Sequence, residues 1–173
     1  MRAVGRLVLG VIVILAAVPA AAGQIGFLDA EKAVLMVQES KSEFQVLEAW
    51  ATPRKNHIEE LKGQVAELNQ QLSVQRNTAS PEALASLDRE LVQTQRELED
   101  EVRAFNRDLA AKRDKLLGEL SAKIMTVAAE YAEANGFDAI FLLGAHAVAY
   151  YSKALDVTDA IIQLYDERHP VSE

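Results

Sequence analysis

From Ile58 onward the apolar positions of this chain recur at steps of three and four. Ile58, Leu61, Val65, Leu68 and Leu72 form a first series. After the polar stretch Arg76-Asn77-Thr78-Ala79-Ser80-Pro81, the pattern resumes with Leu84, Leu87, Leu91, Leu98, Val102, Phe105, Leu109, Leu116, Leu120, Ile124, Val127 and Tyr131. Such spacing puts the apolar side chains on one stripe of a helix, which is buried against another helix. Two stripes separated by a short break predict an antiparallel helical hairpin with its tip at Asn77 to Glu82. The second helix is predicted from Pro81 to Ala134, about 80 Å at 1.5 Å per residue. Ser80 is placed to cap it, Pro81 to occupy its first turn, and Gly136 to end it in the left-handed conformation. The Leu91, Thr94, Leu98, Val102 spacing inserts an eleven-residue step among sevens, which should straighten the supercoil locally. A tip near Thr78 sets Leu72 opposite Leu84 or Leu87, Leu68 opposite Leu91 and Leu61 opposite Leu98. It sets Trp50 opposite Phe105 to Leu109, and Phe44 opposite Leu116.

Short β-like runs flank this arm. Ile25-Gly26-Phe27-Leu28 reads as a first strand and Asp29 as the cap of a short helix whose buried face would be Val34, Leu35 and Val37. Ser40 to Ser42 reads as a polar interruption before helical spacing resumes at Phe44, Leu47 and Trp50. Thr52-Pro53 predicts either a helix restart or a kink within one continuous helix. Phe137 to Leu143 reads as a buried strand, Gly144-Ala145 as a turn and Ala147 to Tyr151 as a further strand. Asp156-Val157-Thr158-Asp159 opens a last helix with Ile161, Ile162, Leu164 and Tyr165 on its apolar side. The first strand is expected to join the later ones, because an isolated two-stranded hairpin is marginal in water. The fold class is therefore α+β: a small β body carrying a long antiparallel α-helical coiled-coil arm.

The N-terminus changes the length that has to fold. Arg2 and Arg6 precede an apolar run from Leu7 to Val18, then Pro19 and Ala20-Ala21-Ala22. This is the pattern of a cleaved secretory signal over residues 1–22, and the apolar core is too short for a stable membrane anchor. The expected organisation is a single domain over 23–173, with body segments 23–43 and 135–173 and the arm over 44–134. A body this small has little core of its own, and the chain contains no cysteine. Oligomerisation is the remaining way to stabilise it and to cover its sheet edges.

Charge excludes one class of partner. Without Arg2 and Arg6 the balance is 16 basic against 26 acidic residues, a net of −10. Counting Arg54 to Glu119 gives 11 basic and 13 acidic residues, so the arm is nearly neutral and the acidity sits on the body. No face reads as a basic nucleic-acid footprint. No phosphate loop, nucleophile elbow or metal-binding helix motif is present, so no enzyme activity and no cofactor are expected. His57-Ile58-Glu59-Glu60 offers one imidazole on an exposed helix, short of the convergent ligands a metal needs. Val74, Val92, Ala110 and Ala111 lie off the main seam and are candidate contacts for a bound polypeptide.

With these features in order, the chain resembles the Skp (OmpH-like) family of periplasmic chaperones. The resemblance is carried by Ile25-Gly26-Phe27-Leu28-Asp29, by Asn135-Gly136-Phe137-Asp138-Ala139-Ile140-Phe141, and by Leu155-Asp156-Val157-Thr158-Asp159-Ala160-Ile161-Ile162 around the heptad arm. It implies a homotrimer whose strands form a central barrel, with Ile25, Phe27, Ile140, Phe141 and Leu142 in the trimer-body core. It implies an ATP-independent periplasmic holdase that keeps unfolded outer-membrane proteins in a cavity between its arms. Two departures stand out. The best-known members are strongly basic, whereas this chain has pI ≈ 5.0, which weighs against electrostatic client capture and against lipopolysaccharide binding. Pro53 also falls inside the first arm helix. The alternative reading is a periplasmic coiled-coil adaptor that bridges envelope proteins.

Overall fold

The computed structural model describes residues 23–144 and 148–171. The expected signal segment 1–22 and the turn at Ala145 to Ala147 lie outside the described residues. The elements run β1 (Gln24–Leu28), α1 (Ala30–Met36), α2 (Gln38–Gln75), α3 (Pro81–Asn135), β2 (Phe137–Leu142) and α4 (Thr158–Arg168), with a short 3-10 turn at Lys153–Leu155 before α4.

Local chemistry sets most of the boundaries. The Asp29 carboxylate accepts the Lys32 N–H at 2.8 Å and caps α1. Ser80 Oγ accepts the Ala83 N–H at 3.2 Å, with Pro81 in the first turn of α3. Gly136 closes α3 at φ 72°, where a side chain would be strained, and its N–H returns to the Ala132 carbonyl. α2 and α3 span 38 and 55 residues and pair antiparallel as the arm. Ile58, Leu61 and Leu68 of α2 are buried, as are Leu91, Thr94 and Phe105 of α3. Thr94 is tolerated there because its hydroxyl donates to the Glu90 carbonyl at 2.9 Å. Trp50 stacks on Phe105 with ring centroids 6.1 Å apart, at the expected register.

The main core lies where both ends of the chain meet the base of α3. Leu28, Ala33, Val34 and Val37 come from the front. Leu120, Ile124, Val127 and Ala128 come from α3, and Val157, Ile161 and Tyr165 from the rear. A second cluster, Ala51, Ile58 and Phe105, sits within the arm, flanked by Trp50, Leu98, Val102 and Leu109.

Three expectations are corrected, and the alternative left open at Pro53 is decided for one continuous helix. The helix break falls at Val37, with ψ 148°, and not at Ser40 to Ser42; Ser40 is fully buried inside α2. The arm helix therefore starts at Gln38, whose free N–H is met by Asp166 Oδ1 of α4 at 2.9 Å. α1 buries Ala33, Val34 and Val37, while Leu35 is 52% exposed. α2 continues through Pro53 without restarting, and Thr52 Oγ donates back to the Glu48 carbonyl at 2.8 Å. No strand forms over Val148 to Tyr151. Among the described residues the sheet has two strands, β1 and β2, and they run parallel, with Gly26 opposite Ile140 and Phe27 opposite Phe141. Parallel strands need a long crossover, and here the crossover is the whole arm. On the other side of β1, the Val157 N–H donates to the Phe27 carbonyl at 2.9 Å, so the segment entering α4 takes the place expected for a strand.

Candidate interaction surfaces

The body presents an apolar sheet face. The register puts Ile25, Phe27, Ala139 and Phe141 on the side opposite Gly26, Leu28 and Ile140. Leu28 is fully buried in the core and Ile140 packs against it. Gly26 is the close approach on that inner side. A Cβ there would stand 3.1 Å from the Phe137 ring and 3.2 Å from Val157 Cγ1. On the outer side Phe27 packs against Phe141 and Tyr151, with centroids 5.9 and 5.0 Å away. Ile25, Phe141 and Leu142 are 40%, 51% and 47% exposed, and Tyr150 is 86% exposed. Phe27 and Ile140 are half-buried. A cluster of large apolar side chains left open at a sheet whose outer β2 edge has no partner within the described residues is a surface for association.

Polar groups fasten this body at two points. The Asp29 N–H donates to the buried Thr158 Oγ at 2.9 Å, while Asp156 Oδ1 accepts the Thr158 N–H at 2.9 Å. Burial pushes the Asp156 carboxyl up, but the Thr158 and Tyr151 hydrogen bonds and the nearby Lys32 charge together hold the group below its ordinary value. Lys32 pairs with Asp159 at 2.7 Å across the same junction. The second point is Glu39. It accepts from the buried Tyr165 hydroxyl and from Lys123 Nζ, both at 2.5 Å, and so ties α2 to α4 and α3. Burial raises the Glu39 carboxyl, and the two hydrogen bonds together with the nearby Lys123 charge reverse this. Burial and the Glu39 carboxylate push the Tyr165 hydroxyl well above the usual phenol range.

On the arm the proposed contacts do not gather into one site. Val74 is 70% exposed near the tip of α2. Val92 is 37% exposed on α3, in a shallow groove with Asp88, Arg89, Gln93 and Arg96. Ala110 and Ala111 are exposed further toward the body. Val92 and Ala110 share one side of α3, five turns apart. A cleft between the helices at the tip is lined by Leu72, Ser73, Arg76, Leu84, Ala85 and Asp88, which confirms the expected facing of Leu72 and Leu84.

A more organised surface lies lower on the arm. Arg54, next to Pro53, donates to Glu101 and to Asp108 of α3, each at 2.9 Å. Its guanidinium also stands 5.4 Å from the Trp50 ring centroid and 5.7 Å from that of Phe105. Those hydrogen bonds raise the Arg54 pKa further, and the Arg54 and Arg107 hydrogen bonds lower that of Asp108. Below this clamp opens a groove lined by Glu43, Val46, Leu47, Trp50 from α2 and Lys112, Lys115, Leu116, Glu119 from α3. Lys112 Nζ lies 4.9 Å from the Trp50 ring centroid. Sequence reasoning missed this groove. Its one legible signal was Val46, an apolar residue off the seam between Phe44 and Leu47. His57 stands 3.7 Å from Glu60, and among the described residues no cluster of His, Cys, Asp or Glu fits a metal ion. No helix among them is long and apolar enough to cross a membrane.

The family described as Outer membrane protein (OmpH-like) matches residues 24–165, nearly the whole of the described chain. The chain belongs to that family. No curated protein matches it closely. Among solved structures, a crystal structure of an OmpH-like candidate outer membrane chaperone from Caulobacter crescentus is similar, with a TM-score of 0.73 and 16% sequence identity over 86% of each chain. At that identity the likeness concerns the fold.

Proposed function

We propose that this OmpH-like protein is an ATP-independent periplasmic holdase. It would bind unfolded outer-membrane proteins between the helical arms of a homotrimer and prevent their aggregation. The observation that carries this reading is the division of the molecule into two parts. A 55-residue helix and its 38-residue partner form an arm far longer than the body, and the body leaves Ile25 and Phe141 exposed on its outer sheet face and Leu142 exposed at the end of β2 in the single chain. Joining three bodies through that face would cover the apolar residues, pair the open β2 edge and set three arms around a common space. Family membership supports the same reading. Nothing in the geometry favours the adaptor alternative.

Client capture would rest on apolar contact more than on long-range charge. Arg103, Arg107 and Lys115 are paired with neighbouring carboxylates on their own helix. Salt screens exposed charges beyond about 8–10 Å and leaves apolar burial intact. Client affinity should therefore change less than about threefold between low and moderate salt. The test is dilution of an unfolded outer-membrane β-barrel protein with and without the mature chain. Mass measurement of the protein alone and with client would accompany it. Suppressed aggregation and a trimer that holds one client are expected. Unchanged aggregation, or a stable monomer at micromolar concentration, would refute the reading.

A further inference from the structure

The groove below the Arg54 clamp has a basic residue at one end and acidic residues at the other. Its floor is apolar: Leu47, Trp50 and Leu116 are half-buried, and Val46 is 61% exposed on its wall. The antiparallel pairing orders its rim. Trp50 and Lys112 stand at the end toward the tip, Val46, Leu47, Lys115 and Leu116 in the middle, and Glu43 and Glu119 at the end toward the body. Lys115 is already paired with Glu119 at 3.8 Å. Lys112 is different. Among the described residues no carboxylate lies within ion-pair distance of it, and its ammonium rests on the indole of Trp50. A cation held on an aromatic face keeps its donors available on the solvent side. Glu43 to Trp50 is two turns of helix, about 10 Å, or room for about three residues of extended chain.

We infer that this groove docks an extended polypeptide segment in which a carboxylate meets Lys112 and the neighbouring apolar side chain lies between Val46, Trp50 and Leu116. Charge complementarity selects the occupant. The one unpaired cation on the rim marks the acid's place, and Glu43 at the far end repels a second acid there. The inference rests on the holdase reading above and assigns a capture point for client segments. Each contact is weak by itself, which suits a surface that must release what it holds.

The chain contains a single tryptophan, Trp50, which lines this groove, so its fluorescence is a local probe of it. The probes are terminally blocked, unstructured peptides of repeating Asp-Val, Lys-Val and Asp-Ser, titrated into the full mature protein. A saturable change in Trp50 emission is expected with Asp-Val and none in the same range with the other two. Lys112→Ala should weaken Asp-Val binding about two- to fivefold, the range of an exposed ion pair. Arg113→Ala removes the same charge one position away, outside the groove lining, and should leave binding unchanged. Equal binding of Lys-Val, or equal loss in both variants, would overturn the inference. A silent Trp50 in a protein that still suppresses client aggregation also overturns it and leaves the holdase reading intact. A saturable Asp-Val response in a protein that fails to suppress aggregation sustains the groove and overturns the holdase reading.

Discussion

Tyr165→Phe tests whether the body is held as described. Tyr165 is fully buried, and its hydroxyl reaches Glu39 at 2.5 Å. Removing the hydroxyl leaves the aromatic packing in place and deprives a carboxylate of its buried donor. A hydrogen bond to a charged group contributes about 1.5–3 kcal/mol, so a loss of about 2 kcal/mol is expected. For a chain of this size that is a fall in Tm of about 4–8 °C. Lys123 should matter less. It is 44% exposed, and exposed ion pairs contribute at most about 1 kcal/mol. Glu39→Gln keeps an acceptor but removes the charge and should cost about 1 kcal/mol. The double variant should then cost little more than Tyr165→Phe alone, because both changes break one interaction. The pH dependence has a definite sign. The folded-state pKa of Glu39 lies below its ordinary value of 4.5. Its contribution is therefore complete above about pH 4.5 and is lost as pH falls through the folded value. The stability gap between wild type and Glu39→Gln should close over that acidic window. Urea unfolding followed by circular dichroism, at one fixed protein concentration, measures all of this. Strict additivity of the two substitutions, or parallel stability curves below pH 4.5, would refute the assignment.

Leu68→Ala and Leu91→Ala should each cost about 2–5 kcal/mol, since both side chains are nearly buried at 7% and 8% exposure. Their effects should be non-additive if they face each other across the hairpin, as a thermal double-mutant cycle would show. Ile140→Asp and Phe141→Asp should differ despite being neighbours. Ile140 packs on the body core, so its variant should lose the body's circular dichroism signal. Phe141 is 51% exposed in the chain, so its variant should stay folded but fall to a smaller mass by light scattering. Gly136→Ala meets no atom of the described residues within 4 Å, yet sits at φ 72°. It should cost about 1–2 kcal/mol from backbone strain alone, read as a Tm shift.

The candidate surfaces were legible only in part. The off-seam positions Val74, Val92, Ala110 and Ala111 are exposed, because heptad phase separates seam from surface. The groove was not legible. It needs Lys112 to be brought over Trp50 from a different helix, and no periodicity within either helix encodes that approach. Arg54 is the same case: its partners Glu101 and Asp108 lie about 50 positions along the chain.

What sequence by itself determined was everything held by contacts a few residues apart. The hairpin, its tip, the caps at Asp29 and Ser80 and the left-handed stop at Gly136 each follow from local hydrogen bonds, backbone preference and a repeated apolar spacing. Tertiary structure decided the rest. The break at Val37 is sustained by Asp166, which supplies from α4 the acceptor that Gln38 lacks locally. Ala33 and not Leu35 faces inward because the direction of α1 is set by the base of α3 and by α4. The parallel pairing of β1 with β2 depends on closing a crossover as long as the arm. Val148 to Tyr151 has strand-like composition, yet the ladder position beside β1 is taken by Asp156, with the Val157 N–H donating to Phe27. A strand is defined by its partner's hydrogen bonds, and partner choice is a property of the whole chain.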